Sequence, residues 1–300
     1  MRKFIVGTDW WTDCDDVVAL RMLARAMKRG EIELLGVGLN GCMEHSVQSL
    51  QGFLKYEGIE KVSIGLDAEA NDFGGNPPYQ ERLSRLGTMK NEDAEEAVCL
   101  YRRLLSEAEE KIEIIEIGYP QVLTNALMSG ADDISPKSGR ELFCETVERV
   151  WMMAGKWDEE EGRENNFARN ERARKAAHAF CENCPVPVVF LGWETGADVI
   201  TGKFLKEDDP LHWALTDHGS AKGRSSWDPM LIHLALTGDA EKAGYDIVRG
   251  RASVNAETGL NRFEKDENGP HEYVVRKHGP EWYEEIIEGM IDSVEGGRPR

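Results

Sequence analysis

The chain has 300 residues, 41% of them hydrophobic, enough apolar material to fill the core of one large α/β domain. Lys and Arg number 36 against 55 Asp and Glu, a formal net charge of −19. A field of that sign repels phosphate backbones and anionic bilayers, so neither nucleic acid nor a membrane is an expected partner. Cations, or neutral ligands held beside a cation, suit it better.

In chain order, apolar β-branched runs alternate with amphipathic helical stretches, the pattern of βαβ units on a largely parallel sheet. Strands are predicted over residues 3–8, 31–39, 61–65, 111–117, 150–154 and 186–191. Helices are predicted over 16–29, 44–56, 92–109, 137–148 and 169–181. The last third is less regular, with strand-like pieces at 245–248 and 272–275 and a final helix at 281–293. The expected fold class is α/β, a Rossmann-like open, mostly parallel sheet flanked by helices. Residues 1–300 are read as one domain, with long loops at 71–76 and 158–166. Ligands of open α/β sheets sit at the carboxyl edge, so function is sought in the loops that follow the strands.

The longest strongly apolar stretch, residues 186–193, falls far short of the roughly 20 residues of a membrane span. Residues 1–3 run straight into a strand without an apolar signal core, so a cytoplasmic location is expected. Six cysteines (Cys14, Cys42, Cys99, Cys144, Cys181 and Cys184) are too sparse for a disulfide scaffold. The Cys181-x-x-Cys184 spacing has no second pair or nearby His to complete a zinc site, and it is read as structural.

The most informative segment follows the first strand: Thr8-Asp9-Trp10-Trp11-Thr12-Asp13-Cys14-Asp15-Asp16-Val17-Val18-Ala19-Leu20. Helix capping accounts for one or two of Asp13, Asp15 and Asp16. It does not account for Asp9, and four clustered carboxylates repel one another unless a cation lies between them. Oxygen donors without a nearby His suit Ca²⁺ or Mg²⁺ rather than zinc.

Asp9 followed by Asp15-Asp16-Val17-Val18-Ala19-Leu20 resembles the N-terminal signature of the inosine-uridine preferring nucleoside hydrolase family. The turn between the first Asp and the Asp pair is two residues longer here than in the family, which leaves open whether Asp13 or Asp15 faces the ribose. Further along, Gly118-Tyr119-Pro120-Gln121-Val122-Leu123-Thr124-Asn125 resembles the family's Gly-Pro-Leu-Thr-Asn segment, and Glu164-Asn165-Asn166-Phe167 its Glu-Phe-Asn segment. Ser226-Trp227-Asp228-Pro229, before an apolar helix, is similar to its last metal-binding Asp. Asn40 matches an Asn of the sugar pocket, and Glu194 falls in a Gly-aromatic-Glu motif seen in some relatives. The resemblance covers about residues 3–240.

The resemblance implies Ca²⁺ held by Asp9, Asp16, the Thr124 carbonyl and Asp228. It implies Asp9 as general base, with Asp15 and Glu164 as the charges that stabilise an oxocarbenium-like sugar. Asp13, Asn40, Glu164, Asn166, Glu194 and Trp227 would bind a small nucleoside or ribosyl substrate. Trp227 stands where the family places a leaving-group His, so stacking is expected from Trp11, Trp193 or Trp227 and protonation from Glu194 or a residue of a lid loop; His218 is the one histidine worth testing. The resemblance further implies a salvage-type hydrolase assembled as a homodimer or homotetramer. Two alternatives stand beside it: a calcium-dependent nucleoside or sugar binder without turnover, and a metal-dependent phosphohydrolase.

Overall fold

The structure is a computed structural model that describes residues 1–11, 13–72, 74–75 and 77–292. Thr12, Phe73, Asn76 and the expected end of the last helix at residue 293 lie outside the described residues. The strands, in chain order, are β1 (Arg2–Thr8), β2 (Ile32–Leu39), β3 (Ser63–Leu66), β4 (Glu95–Glu96), β5 (Ile112–Glu116) and β6 (Val147–Met153). They continue as β7 (Val188–Leu191), β8 (Ile200–Thr201), β9 (Arg224–Ser225), β10 (Tyr245–Val254), β11 (Asn261–Lys265) and β12 (His271–Arg276).

Ten of these form one sheet in the order β11-β10-β12-β7-β6-β5-β1-β2-β3-β4. From β12 to β4 every pairing is parallel, and β10 alone runs antiparallel to its neighbours. β8 and β9 pair separately as a short antiparallel ladder. The expected α/β class is therefore what the chain adopts. Among the described residues, β4, β8, β9 and β11 are the strands that the hydrophobic pattern does not mark. Three of them are two residues long, and β11 is a polar edge strand exposed at most of its positions, so period-2 burial never arises.

Alternate side chains of β1 feed two cores. Phe4 and Val6 join the cluster packed beneath helices Asp15–Lys28 and Trp227–Thr237, and Ile5 joins Ile112 and Ile114 on the opposite face. Both faces of the sheet are covered, which is why its strands read as continuous apolar runs. The strand order reverses between β1 and β5: β2 and β3 lie to one side, β6 and β7 to the other. A crevice opens at such a switch point because the loops leaving the two strands diverge to opposite faces.

Helix Asp15–Lys28 is held in place by Arg21, which is 1% exposed. Its guanidinium takes Asp209 bidentately at 2.6 and 2.6 Å and donates from Nε to Glu57 at 2.7 Å. A buried charge without such partners would cost several kcal/mol, so this network fixes the helix whose first turn carries Asp15 and Asp16. Among the described residues no helix is long and apolar enough to cross a membrane. All six cysteines are free thiols.

Candidate active site

The crevice at the β1/β5 switch point holds a cavity of about 270 Å³, close to the lower end of small-ligand sites. Its floor is acidic. Asp9 leaves the end of β1, Asp15 and Asp16 open the following helix, and Asp228 lies in the first turn of helix Trp227–Thr237. Glu164 and Asn166 come from the loop beyond β6, and Ile117 and Met153 from the ends of β5 and β6.

The turn after Asp9 begins with Trp10, which is fully buried. Trp10 has φ 49°, the one non-glycine residue with positive φ among the described residues. Surrounding contacts hold this left-handed conformation. Its N–H donates to Thr8 Oγ1 at 3.1 Å, its indole N–H to Ser49 Oγ at 2.9 Å, and its carbonyl accepts from Gln80 Nε2 at 2.5 Å. Gly118 is required on the other side of the crevice, since a Cβ there would lie 2.3 Å from the Asp9 nitrogen and 2.4 Å from Asn40 Oδ1.

Three of the four floor carboxylates have a backbone or hydroxyl donor. Asp9 Oδ1 accepts from the Trp11 N–H at 3.0 Å, Asp15 Oδ2 from the Asp228 N–H at 3.0 Å, and Asp16 Oδ1 from the Thr8 hydroxyl. These donors do not offset the loss of water. Burial, reinforced by the neighbouring carboxylates, pushes Asp9 up to about 7 and holds Asp15, Asp16 and Asp228 well above the usual carboxylate range. Carboxylate oxygens of Asp15, Asp16 and Asp228 lie within 4.8 Å of one another. An all-oxygen donor set, desolvated and mutually repelling, fits a hard divalent cation.

Glu164 caps the short helix Asn165–Ala168, accepting from Asn166 N at 2.6 Å, Phe167 N at 3.3 Å and Gly155 N at 3.0 Å. Burial outweighs these donors and pushes it up to about 7. Asn166 Nδ2 donates to the Met153 carbonyl at 2.9 Å, which leaves its Oδ1 as an acceptor at the cavity wall.

Four expected site residues are placed differently. Thr124 sits inside helix Gln121–Met128 with its hydroxyl donating to the Ala176 carbonyl at 3.2 Å, and it does not line the cavity; Ile117, at the strand end, does. A carbonyl within a helix is spent on the helical ladder, whereas one at a strand end can face a ligand. Asn40 is fully buried with its amide spent: Nδ2 donates to Glu116 Oε1 at 2.8 Å and Oδ1 accepts from Tyr119 N at 2.9 Å. Glu194 accepts from Trp157 N at 3.2 Å and lines a separate cavity with Trp157 and Tyr273. Asp13 does line the acidic cavity, but Arg224 holds it bidentately. Asp15, 3% exposed, accepts instead from the Asp228 N–H on the cavity floor. His218 also stays outside the cavity, with Nδ1 3.0 Å from Ser220 Oγ.

Of the three tryptophans, Trp193 and Trp227 line the mouth with ring centroids 6.2 Å apart, and the Trp227 indole N–H donates to the Trp193 carbonyl at 2.8 Å. Trp11 is buried outside the cavity, with the Arg169 guanidinium 4.6 Å from its ring centroid. Sequence reasoning missed two residues. Arg224 is the only cation among the described residues that line the cavity, and a lone Arg four residues before a candidate metal ligand was the available signal. Glu116, fully buried beneath the floor and pushed up by burial to about 8, was hidden in a strand, Ile112–Glu116, where nothing local sets it apart from Glu113.

No family model matches the chain, and no curated protein matches it in sequence. Solved structures do. A plant nucleoside hydrolase, PpNRh1, superposes with a TM-score of 0.72 at 15% identity, over 98% of this chain and 99% of that one. The inosine-uridine preferring nucleoside hydrolase of Bacillus anthracis gives 0.67 at 16% identity, over 98% and 100%. The type III effector XopQ, in complex with adenosine diphosphate ribose, gives 0.67 at 14% identity, over 97% and 92%. The chain therefore has the nucleoside hydrolase fold across its whole length, the fold that its N-terminal motif resembles.

Proposed function

We propose that the protein hydrolyses the N-glycosidic bond of ribonucleosides or related ribosides, with Ca²⁺ as cofactor. The observation that carries this reading is the meeting of Asp9, Asp15, Asp16, Asp228, Glu164 and Asn166 in one cavity at the β1/β5 switch point. Those residues come from four separate stretches of chain. Helix capping could explain several of them singly, but neither Asp9 nor their convergence.

Asp9, Asp16 and Asp228 would hold the cation, with the Ile117 carbonyl in the place first expected of Thr124. When bound, such an ion lowers the pKa of water in the cavity and neutralises part of the floor's charge. Asp9 takes the proton that the attacking water sheds. Asp15 and Glu164 face the sugar ring with negative charge as it gains oxocarbenium character. Asn166 Oδ1 accepts from a ribose hydroxyl, and the tilted Trp193/Trp227 pair offers a stacking wall to an aromatic base. A small nucleoside is the partner this cavity suits.

A phosphohydrolase needs several cationic contacts for the transferred phosphoryl group, and the described residues lining this cavity offer one arginine, Arg224, against six carboxylates. A binder without turnover would use the same sugar contacts, and the XopQ complex with adenosine diphosphate ribose keeps that reading in play. Release of reducing sugar from a ribonucleoside panel, with calcium and after chelation, separates them. Calcium-dependent ribose release supports the hydrolase. Saturable binding with no release from any riboside would replace it by the binder.

A further inference from the structure

Arg224 lies on β9, across the cavity mouth from the β1 turn. Its Nε donates to Asp13 Oδ1 at 2.8 Å and its Nη2 to Asp13 Oδ2 at 2.5 Å, so one edge of the fork fixes the guanidinium plane. Its Cζ stands 5.3 Å from the Trp227 ring centroid. Among the described residues nothing accepts from Nη1, and the side chain is about one-third exposed. The mouth thus combines an aromatic wall with a pre-oriented cationic donor. Among the described residues no imidazole lines the cavity, and Glu194, the acid expected to protonate the leaving base, faces a different one.

We propose that Arg224 is the catalytic residue that meets the departing aglycone, and that the aglycone leaves as an anion stabilised by the guanidinium instead of being protonated by a side-chain acid. This rests on the riboside-hydrolase reading above. An arginine does not release its proton, so its contribution is a fixed charge and a fixed donor aimed where negative charge develops. Bonds and charges balance as follows. The water oxygen forms the new bond to the anomeric carbon and its proton passes to Asp9. The anomeric carbon–aglycone bond breaks, and its electron pair departs with the aglycone. The resulting anion lies beside Nη1 and takes a proton from solvent after release. The substrates favoured are ribosides whose aglycone is a flat ring able to spread negative charge while stacked on Trp227.

The test is a leaving-group series of substituted phenyl β-D-ribofuranosides, from 4-nitrophenyl to unsubstituted phenyl, assayed with the calcium-loaded wild-type protein, Arg224→Gln and Arg224→Lys. For Arg224→Gln, kcat/KM should fall less than about tenfold on the 4-nitrophenyl riboside but by about 10² to 10³ on the phenyl riboside, where the leaving group most needs charge stabilisation. The plot against leaving-group acidity should therefore steepen, with Arg224→Lys in between. Parallel losses across the series, or none, with melting temperatures matching wild type, would overturn Arg224's role while leaving the hydrolase reading intact. Absence of turnover of every riboside by the wild-type protein would instead overturn the hydrolase reading and this proposal with it.

Discussion

The floor of the cavity and its mouth are built from different material. Asp9, Asp15, Asp16 and Asp228 are each at most 5% exposed and sit on the end of a central strand or in the first turns of two helices. Trp193 is 42% exposed, and Arg224 stands on a two-residue strand. The floor is locked to the sheet by the same packing that forms the core, so it follows from the fold. The mouth hangs on short segments packed over that core, where a change of side chain alters the ligand surface without disturbing the sheet. On the proposed reading, the floor would set the chemistry and the mouth the aglycone.

The largest expected effects lie in the floor. Asp9→Ala and Asp228→Asn should each lower kcat/KM on a riboside by at least about 10³-fold, as expected when a general base or a metal ligand is lost. Asp228→Asn carries a second signature. It removes one of four mutually repelling carboxylates while leaving the Asp228 N–H that donates to Asp15. The metal-free variant should therefore melt a few degrees above metal-free wild type, the trade expected where a site is held at the expense of stability. Full activity in either variant would break the floor's assignment.

A step smaller, Glu164→Gln and Asn166→Ala should cost about 10²-fold each, the first in kcat and the second mainly in KM. Glu164→Gln keeps one of the two oxygens that accept from Asn166 N, Phe167 N and Gly155 N, so its melting temperature should fall by only a few degrees, and a kcat loss at temperatures well below that melting point separates lost charge from lost structure. An unchanged kcat in Glu164→Gln would remove it from the transition state.

The floor also makes a pH prediction. Asp9 is pushed up to about 7, Glu164 to about 7 and Glu116 to about 8, in each case chiefly by burial. In the unfolded chain these groups ionise near the ordinary carboxylate values, so between about pH 4 and pH 8 the folded state binds more protons than the unfolded one. Stability of the chelated protein is thus fully present below about pH 4 as far as these groups go, and it falls as pH rises through 7 to 8. Thermal melts in a chelator should drop from pH 5.5 to pH 8, and added calcium should restore most of the loss at pH 8. A flat profile would mean that the carboxylates are not desolvated as the geometry implies.

These contrasts track what was legible in sequence. The β1 strand and the Asp9 to Asp16 cluster could be read because each is a local pattern, an apolar run or a helix start carrying more acid than capping needs, whereas Asp228, a single acid at a helix start, was legible only through the resemblance of its segment to the family's. Arg224 and Glu116 could not, because their meaning is made by distant partners: Asp13, 211 residues away from Arg224, and Asn40, 76 residues from Glu116. Thr124 misled because a Thr-Asn pair looks alike on either side of a helix start, and only the register places Ile117 at the strand end instead. Asn40 was read as a sugar ligand because it ends a strand at the right edge. Whether its amide points to the ligand or to Glu116 is a tertiary fact.

The smallest expected effect sharpens the boundary of the mouth. Glu194 follows β7 in a Gly-Trp-Glu sequence that resembles a pocket motif, yet its carboxylate accepts from Trp157 N and lines the neighbouring cavity with Tyr273. Burial pushes it up to about 7, a value that would suit a leaving-group acid if position allowed. Position is the stronger criterion, because a proton donor must come within hydrogen-bond reach of the atom it serves. Glu194→Gln keeps the acceptor that Trp157 needs and removes the titrating proton. Turnover on inosine and on 4-nitrophenyl riboside should stay within about twofold of wild type, with no shift of either limb of the pH profile. A loss confined to inosine, with 4-nitrophenyl riboside spared, would show instead that the loop carrying Glu194 swings into the mouth when a base is bound, and the aglycone's proton would then come from Glu194 and not from solvent.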